Sequence, residues 1–221
     1  MWAGEADHAF VMNSQTEKLS LEGAAGVIAA QRDLPSDGAP SLGVAVIAHP
    51  HPLFGGTMDN KVVQTLARAF VASGWTAVRF NFRGVGASAG VHDEGRGETE
   101  DFAAVLAQVA PEGPVAVAGF SFGGFVAVNA LQTLWAAREV QQVVLVGTSV
   151  ARVVPPPLPE GAFERTLVVH GEADDTVALS AVMEWARPQS LPVTVVPGGG
   201  HFFHGQLPLL KNLVARHLRA G

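Results

Sequence analysis

Cysteine is absent from the 221 residues. Disulfides and thiolate chemistry are thereby excluded, while a chain of this length buries a core large enough to need no covalent staple. Charge is sparse too: 15% of residues are charged against 48% hydrophobic, which excludes a disordered tail and fits one globular domain spanning 1–221, with 1–14 as an N-terminal extension. The net charge is −6 and no Lys/Arg cluster occurs. Binding to a phosphate backbone therefore has no electrostatic basis, and nucleic acid is not an expected partner. The opening MWAGEADHAF is acidic and lacks the basic and long apolar regions of a secretory signal, so the expected location is cytoplasmic.

Long apolar runs are also missing, with one apparent exception. Residues 114 to 137 carry no charged side chain and approach the length of a membrane span. Pro114, Gly119, Gly123, Gly124, Asn129 and Gln132 interrupt them. A buried strand turning into a buried helix accounts for the stretch, and no membrane is expected as a partner.

What is present is an alternation. EKLSLEG and GVIAAQRDL read as an antiparallel pair, and GVAVIA (43–48) as a strand covered on both faces. Helical spacing follows at Val63, Leu66, Ala67 and Phe70 within 57–74. The units continue with strand 76–82, a helix near 99–110, strand 115–120 with helix 122–137, strand 143–147, strand 166–171 with helix 178–187, strand 193–198, and a last helix within 205–219. Repeated strand–helix units of this length predict an α/β fold: a doubly wound, mostly parallel sheet with helices on both faces. In such sheets ligands sit beyond the carboxyl ends of the strands. There the sequence places HPHPLFGG (49–56), Ser121, Asp174 with Asp175, and PGGGHFFH (197–204).

Two serines match G-x-S-x-G, Ser88 in GASAG and Ser121 in GFSFGG. The pattern is cheap in a glycine-rich chain, with roughly 0.1 matches expected by chance. Position separates the two. A nucleophile elbow must follow its strand at once and open a helix, with small residues two positions either side. Ser121 follows VAVAGF, is flanked by Gly119 and Gly123, and opens an apolar helical stretch; Ser88 lies several residues past its strand, before the polar GVHDEGRG.

GFSFGG after a central strand, HGEADDTV after a later one and GGGHFFHG after the last make the chain, over about residues 15–219, resemble the α/β-hydrolase superfamily. Its dienelactone-hydrolase-like and small bacterial esterase branches look closest. The resemblance implies the order serine, acid, histidine, carried here by Ser121, Asp174 and His201. The family's H-G-x-x-D-x-x-V pattern falls on His170, Gly171, Asp174 and Val177, which selects Asp174 over Asp175; Asp175 is expected to cap the following helix. His201 leaves a glycine turn straight after its strand, whereas His204 lies nearer the last helix, and His170 is expected to be structural.

The resemblance further implies an oxyanion hole of two backbone N–H groups, one from Phe122. The second is expected from HPHPLFGG, where Pro50 and Pro52 have no N–H and the nearest candidates are His51 and Leu53. Against the family's H-G-x-P loop, with Pro50 in place of glycine, the mapping points to His51. Leu53, Phe54 and Phe202 are candidate substrate contacts, Arg83 is expected to fix its own loop, and Asp59, Asn60 and Lys61 read as a helix start. Only residues 148–165, rich in proline, separate two strands where larger relatives carry a helical cap, so no cap domain is expected.

The implied activity is a serine hydrolase acting on small-molecule carboxylic esters or thioesters without a cofactor or metal. A catalytically idle scaffold used for binding is the alternative. A metal-dependent hydrolase using His49 and His51 is a third reading, since H-x-H at a strand end suits a metal. Nothing in the sequence selects an oligomeric state or distinguishes esterase from amidase or acyltransferase.

Overall fold

In the computed structural model, residues 16–35, 40–150 and 153–220 are described; the expected extension at 1–14 lies outside them. The N-terminal stretches form an antiparallel hairpin, β1 (Thr16–Gly23) and β2 (Gly26–Asp33), in unbroken register from Thr16 opposite Asp33 to Gly23 opposite Gly26. The other strands are β3 (Val44–Ala48), β4 (Thr76–Phe80), β5 (Val115–Phe120), β6 (Val140–Val146), β7 (Thr166–Gly171) and β8 (Val193–Val196). They complete one eight-stranded sheet in the order β1-β2-β4-β3-β5-β6-β7-β8. β2 joins β4 antiparallel, and every pairing from β4 to β8 is parallel.

This order fixes where a site belongs. The chain runs outward from β3 to β4, then crosses back past β3 to β5. The reversal opens a crevice above the carboxyl ends of β3 and β5, where HPHPLFGG and Ser121 emerge.

Period-two alternation feeds two cores from the same strands. Val115 and Val117 of β5 join one cluster, and Ala116, Ala118 and Phe120 join the other; in β6, Val143 and Leu145 face opposite to Val144 and Val146. Helices α1 (Lys61–Ala72) and α5 (Leu207–Ala220) cover the second face through Val63, Leu66, Phe70, Leu210 and Val214. Helices α2 (Arg96–Val109), α3 (Phe122–Ala137) and α4 (Leu179–Ala186) cover the first through Phe102, Leu106, Val126, Leu131 and Val182.

Some boundaries moved for local reasons. α1 starts only at Lys61, because the Asn60 side chain caps it by accepting from Val62 N at 2.9 Å. α2 begins three residues earlier than its apolar spacing predicts, since Glu98 reaches back to accept from Gly95 N at 2.7 Å. β6 likewise begins at Val140, with Gln142 buried in the sheet despite its polarity.

Among the described residues, the connection from β6 to β7 holds only a 3-10 turn at Ala162–Arg165, so the fold has no cap. Its proline-rich part is pinned to α4 and the turn after it: Trp185 Nε1 donates to Pro155 O at 3.2 Å, and Leu158 N donates to Gln189 Oε1 at 2.9 Å. No described helix is long and apolar enough to cross a membrane.

Candidate active site

Ser121 joins β5 to α3 with φ 55° and ψ −117°, a conformation that L-residues hold only when their surroundings enforce it. Here the turn is bolted on both sides. Ser121 N donates to Val146 O at 2.9 Å, and Ser121 O accepts from Gly124 N at 2.9 Å and Ser149 N at 3.0 Å. The flanking glycines are required by contact: a Cβ on Gly119 would strike the Gly123 carbonyl, and one on Gly123 would strike the Ala48 carbonyl. The sequence GFSFGG therefore folds into the strand–turn–helix elbow predicted for it.

Asp174, after β7, and His201, after β8, meet Ser121 from two other strand ends. His201 Nδ1 lies 2.7 Å from Asp174 Oδ2 and its Nε2 lies 3.0 Å from Ser121 Oγ. With Nδ1–H donating to the carboxylate, Nε2 is left to accept the serine proton. All three residues are buried. Burial by itself would raise the pKa of Asp174, but hydrogen bonds from His201, Val177 N and Thr176 N outweigh it and hold the carboxyl below its ordinary value. The arrangement keeps a carboxylate, an oriented imidazole and a hydroxyl in line.

Neighbouring groups shape this line rather than join it. His170 is fully buried, its Nε2 is 2.8 Å from Val177 O, and burial pushes its basicity down, as expected of a structural histidine. His204 is exposed, with its ring 6.0 Å from that of Phe202. Asp175 does not cap the following helix: α4 has Ala178 at its N-cap with no side-chain bond, and Asp175 Oδ1 instead accepts from Thr176 Oγ1 at 3.3 Å. The reason is distance along the chain, since Asp175 stands three residues ahead of that N-cap position.

On the other side of Ser121 stands HPHPLFGG. His49 is fully buried, with Nδ1 donating to Pro50 O at 2.6 Å and Nε2 accepting from Phe82 N at 3.0 Å. Burial drives its pKa from 6.5 down to about 4, with the Pro50 bond opposing. Both ring nitrogens are consumed by main chain, so His49 has no lone pair for a metal ion, which removes the metal-dependent reading that paired it with His51. Leu53 N donates to His51 Nδ1 at 3.3 Å, so the Leu53 amide is directed into the loop. The His51 ring lies 4.8 Å from that of Phe122 and 4.9 Å from that of Phe54.

Leu53, Phe54 and Phe202 are exposed at the rim, and Phe202 stands edge-on to His201 at 5.1 Å. Met58, Phe120 and Phe203 are core residues. Ser88 is a structural bridge, its hydroxyl donating to Asn81 O at 2.7 Å and accepting from Ala29 N at 3.0 Å. Arg83 is held by Asp101 at 2.8 Å and Glu100 at 3.3 Å, fixing its loop as expected. The sequence reading passed over Glu98, whose signal was its place three residues into a helix that opens on a glycine.

The profile of the family Serine aminopeptidase, S33 matches residues 46–166, which run from within β3 through β6 and include the elbow. The chain belongs to this family. An uncharacterized protein of Rickettsia prowazekii (strain Madrid E) is 30% identical over 183 residues, covering 74% of this chain and 73% of that one. Among solved structures, an α/β serine hydrolase without lid from Xanthomonas campestris superposes with a TM-score of 0.80 at 35% identity, covering 95% of this chain and 96% of that one. An α/β serine hydrolase homologue from Coxiella burnetii gives 0.79 at 35%, covering 95% and 100%. Family membership makes the protein a member of the α/β-hydrolase superfamily and of a hydrolase family.

Proposed function

We propose that this S33-family protein hydrolyses small carboxylic esters or thioesters through an acyl-enzyme. The reading rests on His201, which touches Asp174 at 2.7 Å with one nitrogen and Ser121 at 3.0 Å with the other. Ser121 Oγ attacks the carbonyl carbon as His201 Nε2 takes its proton, and Asp174 stabilises the resulting imidazolium. The oxyanion is received by Phe122 N–H, at the first position of α3 where no intrahelical acceptor exists, and by His51 N–H. His51 is favoured over Leu53 because the Leu53 amide donates to the His51 ring.

Collapse expels the alcohol or thiol, which leaves with the proton from His201. Water then attacks the acyl group, gives its proton to His201, and the second collapse returns that proton to Ser121 as the acid departs. Leu53, Phe54 and Phe202 supply apolar contact, and the uncapped rim favours small substrates.

The test is fluorophosphonate labelling with peptide mapping in the wild type, Ser121→Ala and Ser88→Ala, followed by 4-nitrophenyl esters and aminoacyl 4-nitroanilides. Labelling at Ser121, kept in Ser88→Ala and lost in Ser121→Ala, with ester turnover, supports the proposal. An unlabelled wild type points to the binding scaffold, and anilide turnover without ester turnover to the aminopeptidase activity in the family's description.

A further inference from the structure

A second histidine is held against a second carboxylate on the oxyanion side of Ser121. His92 Nδ1 lies 2.8 Å from Glu98 Oε1, at ion-pair distance although outside hydrogen-bond alignment. Glu98 is fully buried; its Oε1 also accepts from Asp93 N at 2.9 Å and its Oε2 accepts from Gly95 N at 2.7 Å. These amides flank Glu94, which takes φ 52°, followed by Gly95 at φ 97°. A buried carboxylate therefore fixes a left-handed turn, and that turn seats on the first turn of α3: a Cβ on Gly95 would stand 2.5 Å from a Phe125 ring carbon.

The ring so presented meets the residues around the reacting carbonyl. It lies 4.9 Å from the His51 ring and 5.5 Å from the Phe122 ring, the two residues to which the oxyanion amides are assigned. The side chain keeps 12% of its surface exposed, and among the described residues no hydrogen bond engages Nε2. A phenyl ring would fill the same space. What an imidazole adds, with its Nδ1 edge turned to a carboxylate, is an open hydrogen-bonding nitrogen beside the oxyanion hole.

Resting on the serine-hydrolase reading, we propose that His92 is a specificity residue whose Nε2 hydrogen-bonds an oxygen function, hydroxyl or carboxylate, carried by the acyl chain close to the scissile carbonyl. Neutral, it accepts from a hydroxyl; charged, it donates to a carboxylate. Glu98 acts through it as a positioning residue.

The experiment compares methyl butyrate, methyl 3-hydroxybutyrate and monomethyl succinate by pH-stat, in the wild type, His92→Phe and His92→Leu. The readout is the ratio of kcat/KM between an oxygen-bearing ester and methyl butyrate, so a general loss of turnover divides out. A wild-type preference of about tenfold for at least one oxygen-bearing ester, falling close to unity in both variants, is expected for one added hydrogen bond. Which ester is preferred separates the hydroxyl from the carboxylate. Turnover of methyl butyrate without a preference, or a preference unchanged in both variants, overturns the assignment of His92 alone. No turnover of any ester and no labelling of Ser121 overturns the hydrolase reading with it.

Discussion

Gly147 and His201 are in direct van der Waals opposition: a Cβ on Gly147 would stand 3.4 Å from both Cε1 and Nδ1 of the imidazole, and 3.2 Å from the Phe120 ring. Gly147 follows β6 with φ 51°, so the backbone there favours glycine as well. The imidazole thus rests on bare main chain, with Phe120 at 4.9 Å and Phe202 at 5.1 Å on its other sides.

Gly147→Ala is expected to lower stability by about 1–2 kcal/mol from the left-handed backbone and to displace the imidazole. Because small misplacements of a reacting group are expensive, kcat should fall roughly 10–100-fold with KM little changed. Steady-state kinetics and urea unfolding check both parts, and an unaltered kcat would show that the ring is located by Asp174 alone.

Asp174→Asn and Asp175→Asn should separate sharply. The first removes the acceptor that fixes the His201 tautomer and should lower kcat by about 10³–10⁴-fold. The second touches only a 3.3 Å bond to the Thr176 hydroxyl and should stay within about twofold of wild type on the same ester. Comparable losses in the two variants would contradict the assignment of the acid.

His49 is expected to make the fold acid-sensitive. Its folded pKa of about 4 lies below the ordinary 6.5, so between these values the unfolded chain binds a proton that the folded chain refuses. Stability is therefore full above the ordinary value and is lost as pH falls from 6.5 towards 4, by roughly 3 kcal/mol for this group. His170 and His217, both shifted down by burial, act in the same sense. Urea midpoints from pH 4 to 7.5 should show a shallower slope in His49→Gln, although that variant starts less stable because Phe82 N and Pro50 O lose a good partner. Parallel slopes would mean that His49 does not govern the acid limb.

Much of this was legible from sequence, and the reasons are specific. α3 matches its expected span, 122–137, because an uninterrupted uncharged stretch after a tight elbow leaves no competing structure. That Ser121, Asp174 and His201 come together was legible because each lies within a few residues past a strand end, where topology makes position informative. Less was legible where a side chain serves the main chain. Glu98 looks like any acid on a polar helix start, yet it is buried and organises the 93–95 turn. His49 looks like a metal ligand, yet it ties Pro50 to Phe82. Asp175 failed as a cap because the N-cap position of α4 falls at Ala178, three residues further on, a boundary that residue type cannot reveal.

The Ser121–His201 contact joins residues 80 positions apart, and it exists only once β6, β7 and β8 have added in succession beside β5. Helices can form locally long before that, whereas the Ser121–His201 contact closes a loop of 80 positions. Recovery of activity during refolding is consequently a clock for the final strand, lagging behind the return of helical circular dichroism rather than tracking it.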